Sequence, residues 1–216
     1  GKTTVIRALI SIFESLGMDC ALAAPTGRAA KRMSEATSRE AKTIHRLLEV
    51  EFRGEDRDNT GFARGESNYL DEDVIILDEC SMIDVLLLEA LLRAVKNGAR
   101  VILIGDAEQL PSVGAGNVLS DLIECGAFPT VRLTEIFRQS EASLIVTNSH
   151  AINEGRFPDI TKKDSDFFFL PRETDEEIAY TIADLYKNRL PRSYGADTVN
   201  QIQVITPSHN GAAGTS

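Results

Sequence analysis

Residues 73–79 read DVIILDE, four aliphatic side chains in succession followed at once by two carboxylates. Successive strand residues point to opposite faces, so such a run is stable only where a sheet is covered on both sides. Five further runs share the character: CALAAPTG (20–27), RVILIGD (100–106), VRLTE (131–135), DFFFL (166–170) and QIQVITP (201–207). Helical spacing fills the intervals. Residues 3–16 put Ile6, Leu9, Ile10, Phe13 and Leu16 on one face ahead of Gly17, and 84–97 repeat the pattern with Leu87, Leu88, Leu91 and Val95 ahead of Gly98. Further amphipathic runs lie near 117–125, 141–154 and 174–189. Strand and helix alternate, which predicts an α/β fold with a parallel sheet and flanking helices.

In open α/β sheets ligands bind at the carboxyl ends of the strands, where DVIILDE delivers Asp78 and Glu79. Adjacent carboxylates suit metal-assisted phosphoryl chemistry, Asp78 holding Mg²⁺ and Glu79 orienting and deprotonating water. An acidic turn with no chemistry is the other reading. The chain opens GKTT, and Gly1, Lys2, Thr3 and Thr4 match the close of a phosphate-binding loop, G-x-x-x-x-G-K-[ST]. A tetrapeptide decides nothing alone, but this one stands directly before a helix. There Lys2 would meet the β/γ-phosphates and the Thr3 hydroxyl would ligate Mg²⁺. A third aliphatic strand runs into VILIGDAEQLPSVGAG (101–116), with Gln109 placed to sense a γ-phosphate. Three strand ends with complementary phosphate chemistry make coincidence a poor explanation.

The formal charge of −10 argues against indiscriminate nucleic-acid binding, yet residues 1–48 carry a surplus of +4. In APTGRAAKRMSE (24–35), Arg28, Lys31 and Arg32 share one helix face beside an N-terminus. That face is a phosphate-backbone binder or a solvated charged surface. TIHRLL (43–48) offers Thr43 as an N-cap and leaves His45 and Arg46 outward. LTEIFRQ (133–139) sets Arg138 near a boundary, as an arginine finger or as an ion-pair partner of Glu135 or Glu141. The polar stretch 50–70, with Asn59-Thr60-Gly61 at its middle, is a projecting hairpin or disorder. A composition shift puts a domain boundary at about Gln139–Ser140. Cys20, Cys80 and Cys125 lack C-x-x-C pairing and predict buried thiols in a reducing, cytoplasmic setting; no apolar run reaches membrane-spanning length.

In order and wording, GKTT, APTGRAAKRM, TIHRLL, ILDECSM, GDAEQLPSVGAG and LTEIFRQ resemble the motor motifs of superfamily 1 DNA helicases. The nearest branch is RecD-like and includes the exodeoxyribonuclease V alpha subunit. The resemblance is strong over 1–139 and continues to QVITPSHNGAAGT (203–215). It implies a P-loop NTPase: a first RecA-like domain over 1–139, a hairpin inserted at about 50–70, and the start of a second RecA-like domain over 140–216. The chain would then begin inside its own phosphate loop and be inactive by itself. The implied cofactors are ATP and Mg²⁺. The implied activity is an ATP-dependent helicase moving 5′ to 3′ on single-stranded DNA in repair or recombination. Gln109 would couple the γ-phosphate to DNA, and Arg138 would contact that phosphate from the cleft. Thr26, Arg28, Thr43 and His45 would lie along the DNA, with the hairpin parting the duplex. Duplex junctions and subunits of a helicase–nuclease complex are the implied partners, and no membrane. Two features depart from the pattern: Cys80 where alanine is frequent, and Asn210 before Gly211 where a basic residue is common. An ATPase-inactive DNA-binding or assembly subunit is the alternative. A GTPase is disfavoured because N-K-x-D is missing.

Overall fold

The computed structural model describes residues 1–52, 60–133, 143–162 and 166–214. A four-stranded parallel sheet runs in the order β2 (Ala41–Thr43), β1 (Cys20–Ala24), β5 (Val74–Leu77) and β6 (Arg100–Leu103). Val74, Ile75, Ile76 and Leu77 are all fully buried. Alternation divides them between two cores. Val74 and Ile76 pack with Leu22, with Ile6 and Ile10 of α1 (Lys2–Ser15), and with Met33 of α2 (Gly27–Thr37). Ile75 and Leu77 join Ala21, Ala23, Ile44 and Leu47 of α3 (Ile44–Leu47), and Leu91 and Ala94 of α4 (Val85–Ala94). Burying each large aliphatic is worth about 1.5–3 kcal/mol, so packing outweighs propensity in holding β5 central. Its register pairs Leu77 with Ala23 and with Leu103. A one-residue slip would exchange the side chains facing the two cores, so burial on both faces fixes the alignment.

Side-chain caps set where helices begin. Thr26 Oγ1 accepts from the Ala29 N–H at 3.2 Å, Thr43 Oγ1 from Arg46 at 3.2 Å, and Asp84 Oδ1 from Leu87 at 2.8 Å. Gly17 follows α1 with φ +73°, the left-handed exit that its place in the sequence predicts. Residues 50–70 do contain a hairpin: β3 (Val50–Phe52) pairs antiparallel with β4 (Thr60–Phe62). Its turn chemistry is not where the sequence suggests, because Thr60 and Gly61 lie on β4, opposite Phe52 and Glu51.

The chain forms two compact units, Gly1–Arg138 and Gln139–Ser216. The first also carries α5 (Val118–Glu124). In the second are α6 (Leu144–Asn153), α7 (Asp175–Asp184), a π-helical stretch Leu185–Arg189 and α8 (Leu190–Tyr194). The Asp166 carboxylate receives the Leu144 N–H at 2.8 Å and the Ile145 N–H at 3.2 Å, capping α6. The buried Asn148 side chain bonds the Asp159 backbone both ways, at 2.9 and 2.7 Å.

Three expected strands are absent among the described residues. Positions 131–133, 166–170 and 202–207 have no ladder, and Val131 and Ile205 are 88% and 84% exposed. Short apolar runs without a neighbouring strand to satisfy their backbone do not become strands. Conversely β2, only three residues and mostly polar, is a strand because β1 offers it a parallel edge.

Candidate active site

The carboxyl ends of β1, β5 and β6 share one edge of the sheet with the start of α1. The Lys2 ammonium, in the first turn of α1, lies 3.4 Å from Glu79 Oε2, with side chains 33% and 26% exposed. Asp78 sits between β5 and this pair. Burial pushes its carboxyl above the usual aspartate range; the Glu79 backbone N–H at 2.9 Å and the Lys2 charge pull the other way. The Arg32 charge also pulls the Asp78 carboxyl downward. Glu79 itself has φ 55° and ψ 41°, a left-handed conformation unusual for a residue with a side chain. Sterically costly backbone concentrates where a side chain must be aimed. Gly1 serves as the N-cap of α1, Thr3 is half-buried and Thr4 exposed.

Cys80, next in sequence, is buried; its thiol is pushed up to about 12, chiefly by burial, which makes it an inert packing group. Its N–H donates to the Ile104 carbonyl at 3.0 Å. A Cβ on Gly105 would come within 2.6 Å of Leu119 Cδ2 and 3.1 Å of the Cys80 nitrogen, so any side chain there would force Leu119 and the acidic turn to shift. The loop then presses on the start of α4. The Val85 N–H donates to the Ala115 carbonyl at 3.0 Å, and a Cβ on Gly114 would overlap the Asp84 carboxylate. Gln109 is exposed, with Nε2 donating to Asp106 Oδ2 at 3.2 Å. Sequence reasoning singled out Gln109 but not Asp106, which anchors it through both side chain and backbone. Asp106 lies inside the quoted GDAEQ motif, which was the signal available.

The proposed DNA residues gather at the next strand ends. Ala24 of β1 is in register with Thr43 of β2, so the starts of α2 and α3 are neighbours. The hydroxyls of Thr26 and Thr43 are both engaged as cap acceptors. Each keeps its own O–H to donate outward. Arg28, Lys31, Arg32, His45 and Arg46 are exposed, and Lys31 pairs only loosely with Glu35 at 4.0 Å. Arg138 lies outside the described residues. A Mg²⁺ ion is compatible with this donor set: one half-buried carboxylate and a threonine hydroxyl are typical protein ligands when phosphates and water complete the shell. The upward pull on Asp78 is what a nearby cation would offset.

Residues 1–167 match the AAA domain family. The chain belongs to that family. Within it the sequence is RecD-like. It is 40% identical over 158 residues to the ATP-dependent RecD2 DNA helicase of Deinococcus radiodurans, covering 73% of this chain and 21% of that protein. It is 40% identical over 147 residues to the RecBCD enzyme subunit RecD of Mycobacterium tuberculosis, covering 57% of this chain and 24% of the relative. The chain thus spans about a fifth to a quarter of the curated relatives it matches. Among solved structures, Pif1 from Bacteroides sp in complex with ADP-AlF4 superposes with a TM-score of 0.50 at 24% identity, over 87% of this chain and 46% of that one. That likeness concerns the fold alone. The parallel sheet with flanking helices is the RecA-like arrangement of P-loop helicases.

Proposed function

We propose that these residues form part of the motor of an ATP-driven DNA helicase that moves 5′ to 3′ along single-stranded DNA. The observation that carries the reading is the 3.4 Å pairing of Lys2 with Glu79 beside a half-buried Asp78, at the sheet edge where AAA-family proteins bind nucleotide. The cation that would hold phosphate and the carboxylate that would activate water neutralise one another. Incoming phosphates compete for Lys2, and Glu79 is released as a free carboxylate able to take a proton from water. Thr3 and Asp78 would hold Mg²⁺, which when bound supplies charge compensation for the phosphates. Gln109, on a loop packed against both the acidic turn and α4, is positioned to report the terminal phosphate. Arg138 is proposed as the arginine finger.

Thr26, Arg28, Lys31, Arg32, Thr43 and His45 would follow the DNA backbone through hydroxyl donation and positive charge. Residues 1–139 form the first RecA-like domain on this reading, and 140–216 begin the second. On this reading the protein works in DNA repair or recombination in the cytoplasm, with duplex junctions as substrate. The name of the mycobacterial relative suggests other subunits of a helicase–nuclease complex as partners. ATP hydrolysis by the full-length protein, measured with and without single-stranded DNA, tests the proposal: stimulation of tenfold or more is expected. Hydrolysis indifferent to DNA, or absent, would favour an ATPase-inactive DNA-binding or assembly subunit.

A further inference from the structure

The β3–β4 hairpin emerges directly behind α3, and its root is held by more than its own ladder. The ladder continues past Val50↔Phe62, with the Ala63 N–H donating to Glu49 O at 3.0 Å and the Arg64 N–H to Leu48 O at 3.2 Å. Leu48 is the C-cap of α3. The Arg64 guanidinium then ties together two segments, Glu49 and the stretch 69–71. Its Nε and Nη2 reach Glu49 Oε1 at 3.0 Å each, and its Nη1 reaches the Tyr69 carbonyl at 2.8 Å and Asp71 Oδ2 at 3.4 Å. The Arg64 side chain is 21% exposed while its Glu49 and Asp71 partners are 51% and 91% exposed, so the fork is held by its several simultaneous contacts and not by exclusion of water. Glu49 meets it from a left-handed backbone, φ 55°, a geometry that persists only when its surroundings hold it there. Behind the fork the chain closes a small turn, where the Gly65 and Asn68 backbones exchange hydrogen bonds at 3.0 and 2.9 Å and Asn68 Nδ2 donates to Ala63 O at 3.0 Å. On the other side the Phe62 ring packs 6.0 Å from the exposed ring of His45, centre to centre. The element that carries Thr43 and His45 and the root of the hairpin are therefore one tied assembly.

We propose that Arg64 is a positioning residue that locks the β3–β4 hairpin to α3, so that DNA held at Thr43 and His45 is presented to the hairpin at a fixed angle. The proposal rests on the helicase reading for its functional consequence but not for the lock itself. Arg64 touches neither nucleotide nor DNA in this scheme. Its loss should leave the motor running and make strand separation inefficient, because a loosened hairpin yields instead of the duplex. Arginine is needed because lysine, with a single nitrogen, cannot reach Glu49 and Tyr69 together.

The test compares full-length parent, Arg64→Ala, Arg64→Lys and Glu49→Gln in three measurements: DNA-stimulated ATPase, unwinding of a forked duplex, and amide exchange without nucleotide or DNA. For Arg64→Ala the expected result is ATPase within twofold of the parent, unwinding reduced tenfold or more, and exchange at 50–52 and 60–63 accelerated at least tenfold while β1 and β5 stay protected. Arg64→Lys should recover part of the unwinding. Glu49→Gln, which spares the Tyr69 contact, should give the same split in milder form and serves if Arg64→Ala does not fold. Unwinding at parental rate, or ATPase and unwinding falling together, overturns the positioning role. Unchanged exchange at the hairpin overturns the lock. A parent without DNA-stimulated ATPase refutes the helicase reading instead, and the exchange comparison still judges the lock.

Discussion

Glu79 occupies the left-handed region two residues past β5 and places its carboxylate against Lys2. If it is the general base, Glu79→Gln in the full-length protein should still bind Mg·ATP, because Lys2 and Asp78 remain, while turnover falls by about 10²–10⁴. A nucleotide-binding assay beside a phosphate-release assay checks this, and hydrolysis within threefold of the parent would remove Glu79 from the role. Asp78 gives an opposite signature in stability. Burial raises its pKa, so the folded chain holds the proton more tightly than the unfolded chain does. Its charge therefore costs stability above the folded pKa, a cost relieved as pH falls through that value. Asp78→Asn should raise the Tm of the nucleotide-free protein at neutral pH, measured by thermal melts of parent and variant side by side, while abolishing Mg-dependent turnover. A lower Tm would mean that the carboxylate is stabilised where it lies. Both acids were legible because they end an aliphatic run. The backbone twist of Glu79 was not, whereas the grip of Asp106 on Gln109 is a local contact across three residues that the motif contained.

At the scale of elements, legibility followed two-sided burial. β1, β5 and β6 were readable because apolar residues on both faces leave a strand no other place to sit, and the caps Thr26 and Thr43 follow from local hydrogen bonding. β2 was invisible for the complementary reason, and 131–135, 166–170 and 201–207 were read from apolarity with no pairing partner in view. The hairpin at 50–70 was seen, but its register was not: Asn-Thr-Gly is turn chemistry in isolation, yet Thr60 and Gly61 pair on β4. That register changes the experiment to perform. A deletion as far as residue 66 would take Arg64 with it, so only 53–59 should be replaced by a two-residue turn. DNA-stimulated ATPase and translocation should survive this shortening and unwinding of a forked duplex should be lost. Loss of translocation in the same preparation would make the segment a structural support.

For the whole molecule, an overall charge of −10 and a surplus of +4 in the first 48 residues describe an acidic body with one basic track. DNA binding should accordingly weaken steeply with salt, and Arg28→Ala in the full-length protein should reduce the slope of log K against log salt by about 1, the signature of one lost phosphate contact. Titrations at several salt concentrations measure it, and an unchanged slope would return Arg28 to the solvated surface. No described helix is long and apolar enough to cross a membrane. The order of small elements has a further consequence. β2, α3 and β3 follow one another with only Leu48 and Glu49 intervening between helix and hairpin. On the proposed reading, the place where a strand is gripped and the place where the duplex parts are therefore a constant number of nucleotides apart. Both edges of the protein's footprint on a fork would advance in lockstep through every cycle, whatever the rest of the motor is doing.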